Sequence, residues 1–167
     1  SNRLSFGKVR SNEDVIWSVA PHDISMILSL VDEIPENVSC KSTSVLQKKL
    51  ADIATIYMKF SSGLKADIRV SWLNPYKEVK LVVSGELGML VFDDTKTWDE
   101  KLFFQSYEIK KSKKLIELVK INEKYVKVIE NEPLRMECQH FSDVVKGEVK
   151  PLTDGTEGLR VIKVLSA

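Results

Sequence analysis

The chain has 167 residues, with 25 basic and 24 acidic side chains and a formal net charge of +1; 43% of it is hydrophobic and 29% charged. That length holds one domain with a real core and leaves little room for a second. The balanced charge argues against a broad electrostatic grip on nucleic acid, the ordinary composition excludes a disordered or fibrous chain, and no apolar run approaches the roughly 20 residues of a membrane span.

The first predicted element is a strand. Residues 3–10 (RLSFGKVR) alternate, with Leu4 and Phe6 on one side and Arg3, Ser5 and Gly7 on the other. A polar turn follows at Ser11 to Asp14. In SVAPHDISMILSLVDEIP, Pro21 suits the first turn of a helix, and Ile24, Ile27, Leu28 and Val31 fall at i, i+3, i+4 and i+7. This predicts an amphipathic helix that starts near Pro21 and stops before Pro35, with His22 and Asp23 in its first turn.

From Val38 to Phe92 the period changes to two. Ile56, Met58 and Phe60 alternate with polar neighbours; so do Ala66, Ile68, Val70 and Trp72, then Val79, Leu81 and Val83, then Leu87, Met89 and Val91. Turn signals stand at Ser61-Ser62-Gly63, at Asn74-Pro75 and at Gly85 to Gly88. Short connections between alternating strands imply an antiparallel meander with one face packed on helices. The other face carries Tyr57, Leu73, Val82 and Phe92, apolar for a solvated surface, and is expected to meet a partner. Residues 93–114 read as a long loop with a short strand near Leu102 to Tyr107. The run Lys110-Lys111-Ser112-Lys113-Lys114 reads as a solvated loop, since no aromatic residue is interleaved with it. Residues 115–129 fit strand or helix. A last pair of helices is predicted. In the first, Asn131 caps, Pro133 opens, Leu134, Cys138, Phe141 and Val145 form the stripe, and Gly147 stops the helix. The second starts after Thr153 and uses Leu159, Ile162 and Leu165.

Little in the chain carries chemistry by motif. It has no GxGxxG, P-loop, GxSxG or HExxH. Cys40 and Cys138 form no metal-type pair and are expected to be buried free thiols of a cytoplasmic protein. No metal site is expected, and no cofactor site built by this chain alone. The start at Ser1 without methionine suggests a fragment, and no signal peptide is visible. The PHD triplet at 21–23 stands out. A histidine in a first helical turn feels the positive helix end, which disfavours its cationic form. A neutral imidazole accepts a proton, as base catalysis of alcohol oxidation requires. The alternative is a histidine that packs at a helix start. His140, mid-helix beside Phe141, is expected to pack.

At these residues the chain resembles a known family. RLSFGKVRSNEDVIWSVAPHDIS resembles the opening of the C-terminal domain of the Gfo/Idh/MocA oxidoreductases. SWLNPYKEVKLVVSGELGMLVFDD resembles that domain's strand–turn–strand segment. EPLRMECQHFSDVVKGEVKPLTDGTEGLRVIKVLSA resembles its closing helices. The resemblance implies an α+β fold, a large mostly antiparallel sheet with helices on one face, occupying all of residues 1–167. It also implies an N-terminal Rossmann domain, absent from this chain, that binds NAD or NADP and supplies a lysine from an EKP-like motif. Such enzymes move hydride between a sugar or cyclitol hydroxyl and the cofactor, and they assemble as dimers or tetramers through the open sheet face. His22 matches the family's histidine in an HxxD-like motif. Ser18 stands where many members have an acidic residue, and Ser25 where many have aspartate.

The expected function is therefore a substrate-binding and oligomerisation domain of an NAD(P)-dependent oxidoreductase acting on a sugar or nucleotide sugar, inactive alone. His22 is the candidate base, and Asp23, Ser18, Trp72 and Lys77 are candidate substrate contacts. Trp72 is read as a stacking platform or a core residue, and Lys77 as a phosphate contact or an ordinary turn lysine. Two alternatives stay open: a non-catalytic self-associating scaffold, and a sugar-nucleotide binding module without redox chemistry.

Overall fold

The computed structural model describes residues 1–112 and 115–167. The chain runs β1 (Asn2–Phe6), α1 (Val15–Leu30), β2 (Asn37–Thr43), β3 (Ile53–Lys59), β4 (Lys65–Ser71), β5 (Leu73–Gly85), β6 (Gly88–Asp93), β7 (Leu102–Lys111), β8 (Ile116–Tyr125), α2 (Pro133–Lys146) and α3 (Gly155–Leu165). Among the described residues the strands form one eight-stranded sheet in the order β2-β3-β4-β1-β5-β6-β7-β8, in which only the β1–β4 pair is parallel and every other neighbour is antiparallel. The α+β class and the mostly antiparallel sheet are as expected. The topology is more than a meander, because β1 inserts between β4 and β5.

The core lies between α1, α3 and the β1–β3–β4 half of the sheet. Ile56 and Met58 of β3 and Ile68 and Val70 of β4 meet Ala20, Ile24, Ile27 and Leu28 of α1. Burying each of the Ile, Leu, Val and Met side chains among them stabilises the fold by roughly 1.5–3 kcal/mol. On α3 the stripe is turned from the expected one. Val164 is buried, Val161 and Leu165 pack beside it, and Leu159 and Ile162 are exposed. The three inward residues still sit at i, i+3 and i+4; only the docking of α3 on α1 chooses between two overlapping stripes.

Several local expectations are corrected. Helix α1 begins at Val15, six residues before Pro21, because the Asp14 side chain caps it by accepting from Ile16 N and Trp17 N at 3.0 Å. Pro21 therefore sits inside the helix, a position that costs about 3 kcal/mol in an isolated helix and is offset here by the buried face on either side of it. No turn forms at Asn74-Pro75; β5 runs through both residues, and its register against β1 shifts between Leu4 and Phe6 to absorb them. Lys110 and Lys111 end β7 instead of lying in a loop, and Lys113 and Lys114 lie outside the described residues. Residues 116–125 are a strand. Glu132 precedes α2 without a side-chain cap bond, so Asn131 does not cap it, while Gly147 ends it in the left-handed region at φ 76°. Both cysteines are free, as expected, but exposed. Phe92 pairs with Leu81, which packs on the core, so Phe92 shares the helix-bearing face.

The opposite face is defined by the same pairing. Tyr57 alternates with the buried Ile56 and Met58, and Val82 pairs with Val91, which pairs with Phe103, which pairs with Tyr125. The Phe103 and Tyr125 rings lie 5.3 Å apart at 59°.

Candidate functional site

Helix α1 has two distinct faces. Its inner face carries Val15, Ala20, Asp23, Ile24, Ile27 and Leu28, all buried. Its outer face carries His22 and Ser25, exposed, and Ser18, half-buried, while Trp17 in the first turn, 48% exposed, lies on the Ile24 and Leu28 side of the helix. Ser18 and His22 are four residues apart, and His22 and Ser25 three, so the three side chains occupy one strip of helix. His22 stands near the middle of a sixteen-residue helix. The helix-end argument made for it from sequence does not apply there, because the dipole's influence is confined to the first and last turns. What the structure offers instead is an imidazole presented to open surface by a helix whose other side is anchored.

Asp23 points inward, roughly 100° around the helix from His22. Its side chain is 1% exposed; Oδ2 accepts from Arg3 Nε at 2.5 Å, and Oδ1 accepts from Ser1 Oγ at 2.5 Å. Both oxygens are thus taken, one by Arg3 of β1 and one by Ser1 just before it. Asp23 acts as a clamp between helix and sheet and is not free to meet a substrate. Arg3 was not singled out from sequence; its alternation opposite Leu4 placed it on the polar side of a half-buried strand, whereas the helix lies on that side.

Trp72 is buried, and its indole Nε1 donates to Asp52 Oδ1 at 2.6 Å. Asp52 is the hub of this corner. Its Oδ2 accepts from Val45 N and Leu46 N, each at 2.7 Å. Burial alone would raise its pKa, but the donors of Leu46, Val45 and Trp72 outweigh it and hold the carboxyl below the usual carboxylate value. Val15 N donates to Ala51 O at 2.9 Å and Gly7 N to Trp72 O at 3.2 Å. Through these bonds the Asp52–Trp72 corner fixes the start of α1, and with it Trp17 and Ser18. Trp72 is therefore a core residue and not an exposed platform. Lys77 is exposed within β5. His140, half-buried, ties α2 to the segment after it, its Nε2 accepting from Leu152 N at 3.1 Å.

The candidate site is thus the outer strip of α1: the structure brings Ser18 and His22 onto one strip, turns Asp23 inward, buries Trp72 and leaves Lys77 exposed on β5. Among the described residues no cluster of three or more His, Cys, Asp or Glu is placed to hold a metal, and no helix is long and apolar enough to cross a membrane. The turn from β1 into α1 lacks a glycine-rich fingerprint, and Asp14 occupies the first N–H groups of the helix, which in a dinucleotide fold face a pyrophosphate.

Comparisons with known proteins agree with this architecture. The model of the GFO/IDH/MocA C-terminal domain matches residues 5–91, just over half the chain. No curated protein sequence matches. Among solved structures, UDP-N-acetylglucosamine 3-dehydrogenase GnnA from Acidithiobacillus ferrooxidans superposes with a TM-score of 0.78 at 19% identity, over 99% of this chain and 51% of that one. An oxidoreductase from Magnetospirillum magnetotacticum gives 0.77 at 25% identity, over 99% and 52%. The WlbA dehydrogenase from Bordetella pertussis, in complex with NADH and UDP-GlcNAcA, gives 0.66 at 15% identity, over 99% and 49%. The chain spans about half the length of these structures. By its matched family model and its fold, the chain belongs to the GFO/IDH/MocA family as a C-terminal domain.

Proposed function

We propose that this chain is the substrate-binding half of a longer NAD(P)-dependent oxidoreductase that moves hydride between a hydroxyl-bearing carbon of a sugar or nucleotide sugar and nicotinamide. The observation that carries the reading is the exposed His22 on the outer strip of a helix anchored on its other face. In this reading His22 takes the proton from the reacting hydroxyl as the alcohol is oxidised, and returns it in the reverse direction. Ser18, one turn away, orients a substrate hydroxyl. The nicotinamide cofactor, which supplies the hydride acceptor, is held by the half of the protein that this chain lacks. Two features support a missing half. The relatives are about twice as long. And α2 buries no residue of its own, leaving Leu134, Phe141 and Val145 each about two-thirds exposed or more. The relatives' names, a UDP-N-acetylglucosamine dehydrogenase and a dehydrogenase solved with NADH and a UDP-sugar, favour a nucleotide sugar as substrate. The intact protein is expected to reduce NAD or NADP with UDP-N-acetylglucosamine or a related nucleotide sugar, followed at 340 nm, while the 167-residue chain shows no turnover. An intact protein inert toward a panel of sugars and nucleotide sugars, or turnover by this chain alone, overturns the reading.

The open sheet face supports self-association within the same reading. Tyr57 and Val82 are 45% and 47% exposed, and they share their face with Val91, Phe103 and Tyr125 across the paired strands. A face of this kind closes two-fold on its copy, with like residues meeting. Light scattering is expected to give a dimer or tetramer, and Val82→Asp to shift it toward monomer. A strict monomer at high concentration removes this part of the proposal.

A further inference from the structure

The strand β1 is five residues long and lies between β4, of seven residues, and β5, of thirteen. Past Ser1 the two flanking strands continue and border a groove that opens on both faces of the sheet. On the helix-bearing side it measures about 210 Å³ and is walled by Ile27, Leu30, Val31, Leu64, Leu81 and Val83. On the other side Asp67, Lys80, Val82 and Ser84 line it. Adjacent strands stand about 4.8 Å apart, so β4 and β5 lie roughly 9.6 Å apart across β1, and the groove is one strand wide.

The hydrogen-bond ladder shows which backbone groups face this groove. The Ser1 amino group donates to Asp67 O at 2.6 Å, and Ser1 O accepts from Arg69 N at 2.8 Å. Along a parallel ladder the pattern repeats every second residue, so the next groups of β4 turned this way are Asp67 N–H and Lys65 C=O. Ser1 faces β4, so Asn2 faces β5, opposite Lys80. Two residues on, Val82 turns its N–H and C=O to the same groove, while Val83 turns its own toward Leu90 of β6. Central sheet positions with donors and acceptors on both walls fit one kind of occupant, an extended backbone.

We infer that in the intact protein the residues directly preceding Ser1 continue β1 through this groove, parallel to β4 and antiparallel to β5. This inference rests on the reading of the chain as part of a longer protein. Ser1 Oγ and Arg3 Nε both reach Asp23 of α1, so alternation sends the second residue before Ser1 to the helix side as well. It meets Ile27, Leu30 and Val31 there and is apolar. The added strand also links the missing half mechanically to α1, since Ser1 and Arg3 hold the aspartate next to His22.

The test compares amide hydrogen exchange, read by NMR, in the 167-residue chain and in the same chain carrying its six native preceding residues. The amides of Asp67 and Val82 are expected to slow at least tenfold in the extended chain, while that of Val83 changes less than threefold. A proline as the second residue before Ser1, which has no N–H for Lys65 C=O, is expected to reverse the gain. Equal exchange at Asp67 and Val82 in the two chains overturns the inference and leaves the two-part reading standing. Protection that is already present in the shorter chain and grows with its concentration also overturns it, marking a second copy in the groove. A reading frame that starts within three residues of Ser1 overturns both.

Discussion

Replacing His22 by alanine in the intact protein is expected to lower kcat/KM for the nucleotide sugar by about 10²–10⁴-fold, the range a positioned general base contributes. The loss should appear mainly in kcat, because proton removal is needed in the transition state and not for ground-state binding. The fold should be nearly indifferent. His22 is exposed on α1, and surface substitutions away from caps and buried networks usually change stability by less than about 0.5 kcal/mol. Unfolding by urea therefore separates a chemical effect from a structural one. Unchanged kcat/KM would instead favour the scaffold reading, to which the serines at 18 and 25 already lend some weight.

The largest stability effect is expected at Arg3. Its guanidinium reaches the Asp23 carboxylate at 2.5 Å, and the aspartate side chain is 1% exposed. Arg3→Met removes the cation and leaves the carboxylate inside the helix–sheet interface with only Ser1 Oγ as partner. Breaking a buried pair from one side costs roughly 3–5 kcal/mol. For a chain of this size that is a fall in Tm of about 10 °C. The double variant Arg3→Met/Asp23→Leu is expected to recover most of the loss, since apolar replacement of both partners is often neutral. Urea unfolding of the two variants side by side checks this, and the double variant stays informative if the single one does not fold. A single variant within about 0.5 kcal/mol of the parent would show that water reaches Asp23 and that the pair contributes little.

The two predictions concern neighbouring residues that sequence reading grouped as one motif. At 22 and 23 the chain reads as a histidine with an aspartate beside it, ready to act together. A helix separates them by roughly 100°, and which of the two faces outward depends on where the sheet lies. The core answers that: Ala20, Ile24, Ile27 and Leu28 turn inward together, Asp23 goes with them and His22 does not. The helix start shows a related limit. Pro21 is a fair start signal and Asp14 a fair cap, but the sequence holds both. The corner built by Asp52, Trp72 and Ala51, contributed by residues some 35–60 positions away, holds the earlier one.

Much of the architecture was legible because it depends on local periodicity. The alternation in β3 and β4, the inner stripe of α1 and the glycine stop of α2 all follow from side-chain order along the chain. The ordered resemblance of three segments also pointed to the family. Where β1 lies was not legible, since pairing between β4 and β5 is a contact across more than sixty residues and leaves no periodic trace. The same is true of Phe92, whose face depends on its register with Leu81, because one residue of slip sends a side chain to the other side of a sheet. The sequence by itself determined an α+β domain with a long antiparallel sheet, the identity of the candidate base, and the absence of a dinucleotide motif. Only the tertiary structure decided which of His22 and Asp23 is presented and which is spent on a clamp, that Trp72 is core, and that a strand-wide groove opens beyond Ser1. Each of these is a choice of face or neighbour, and faces are chosen by the long-range packing that buries one of them.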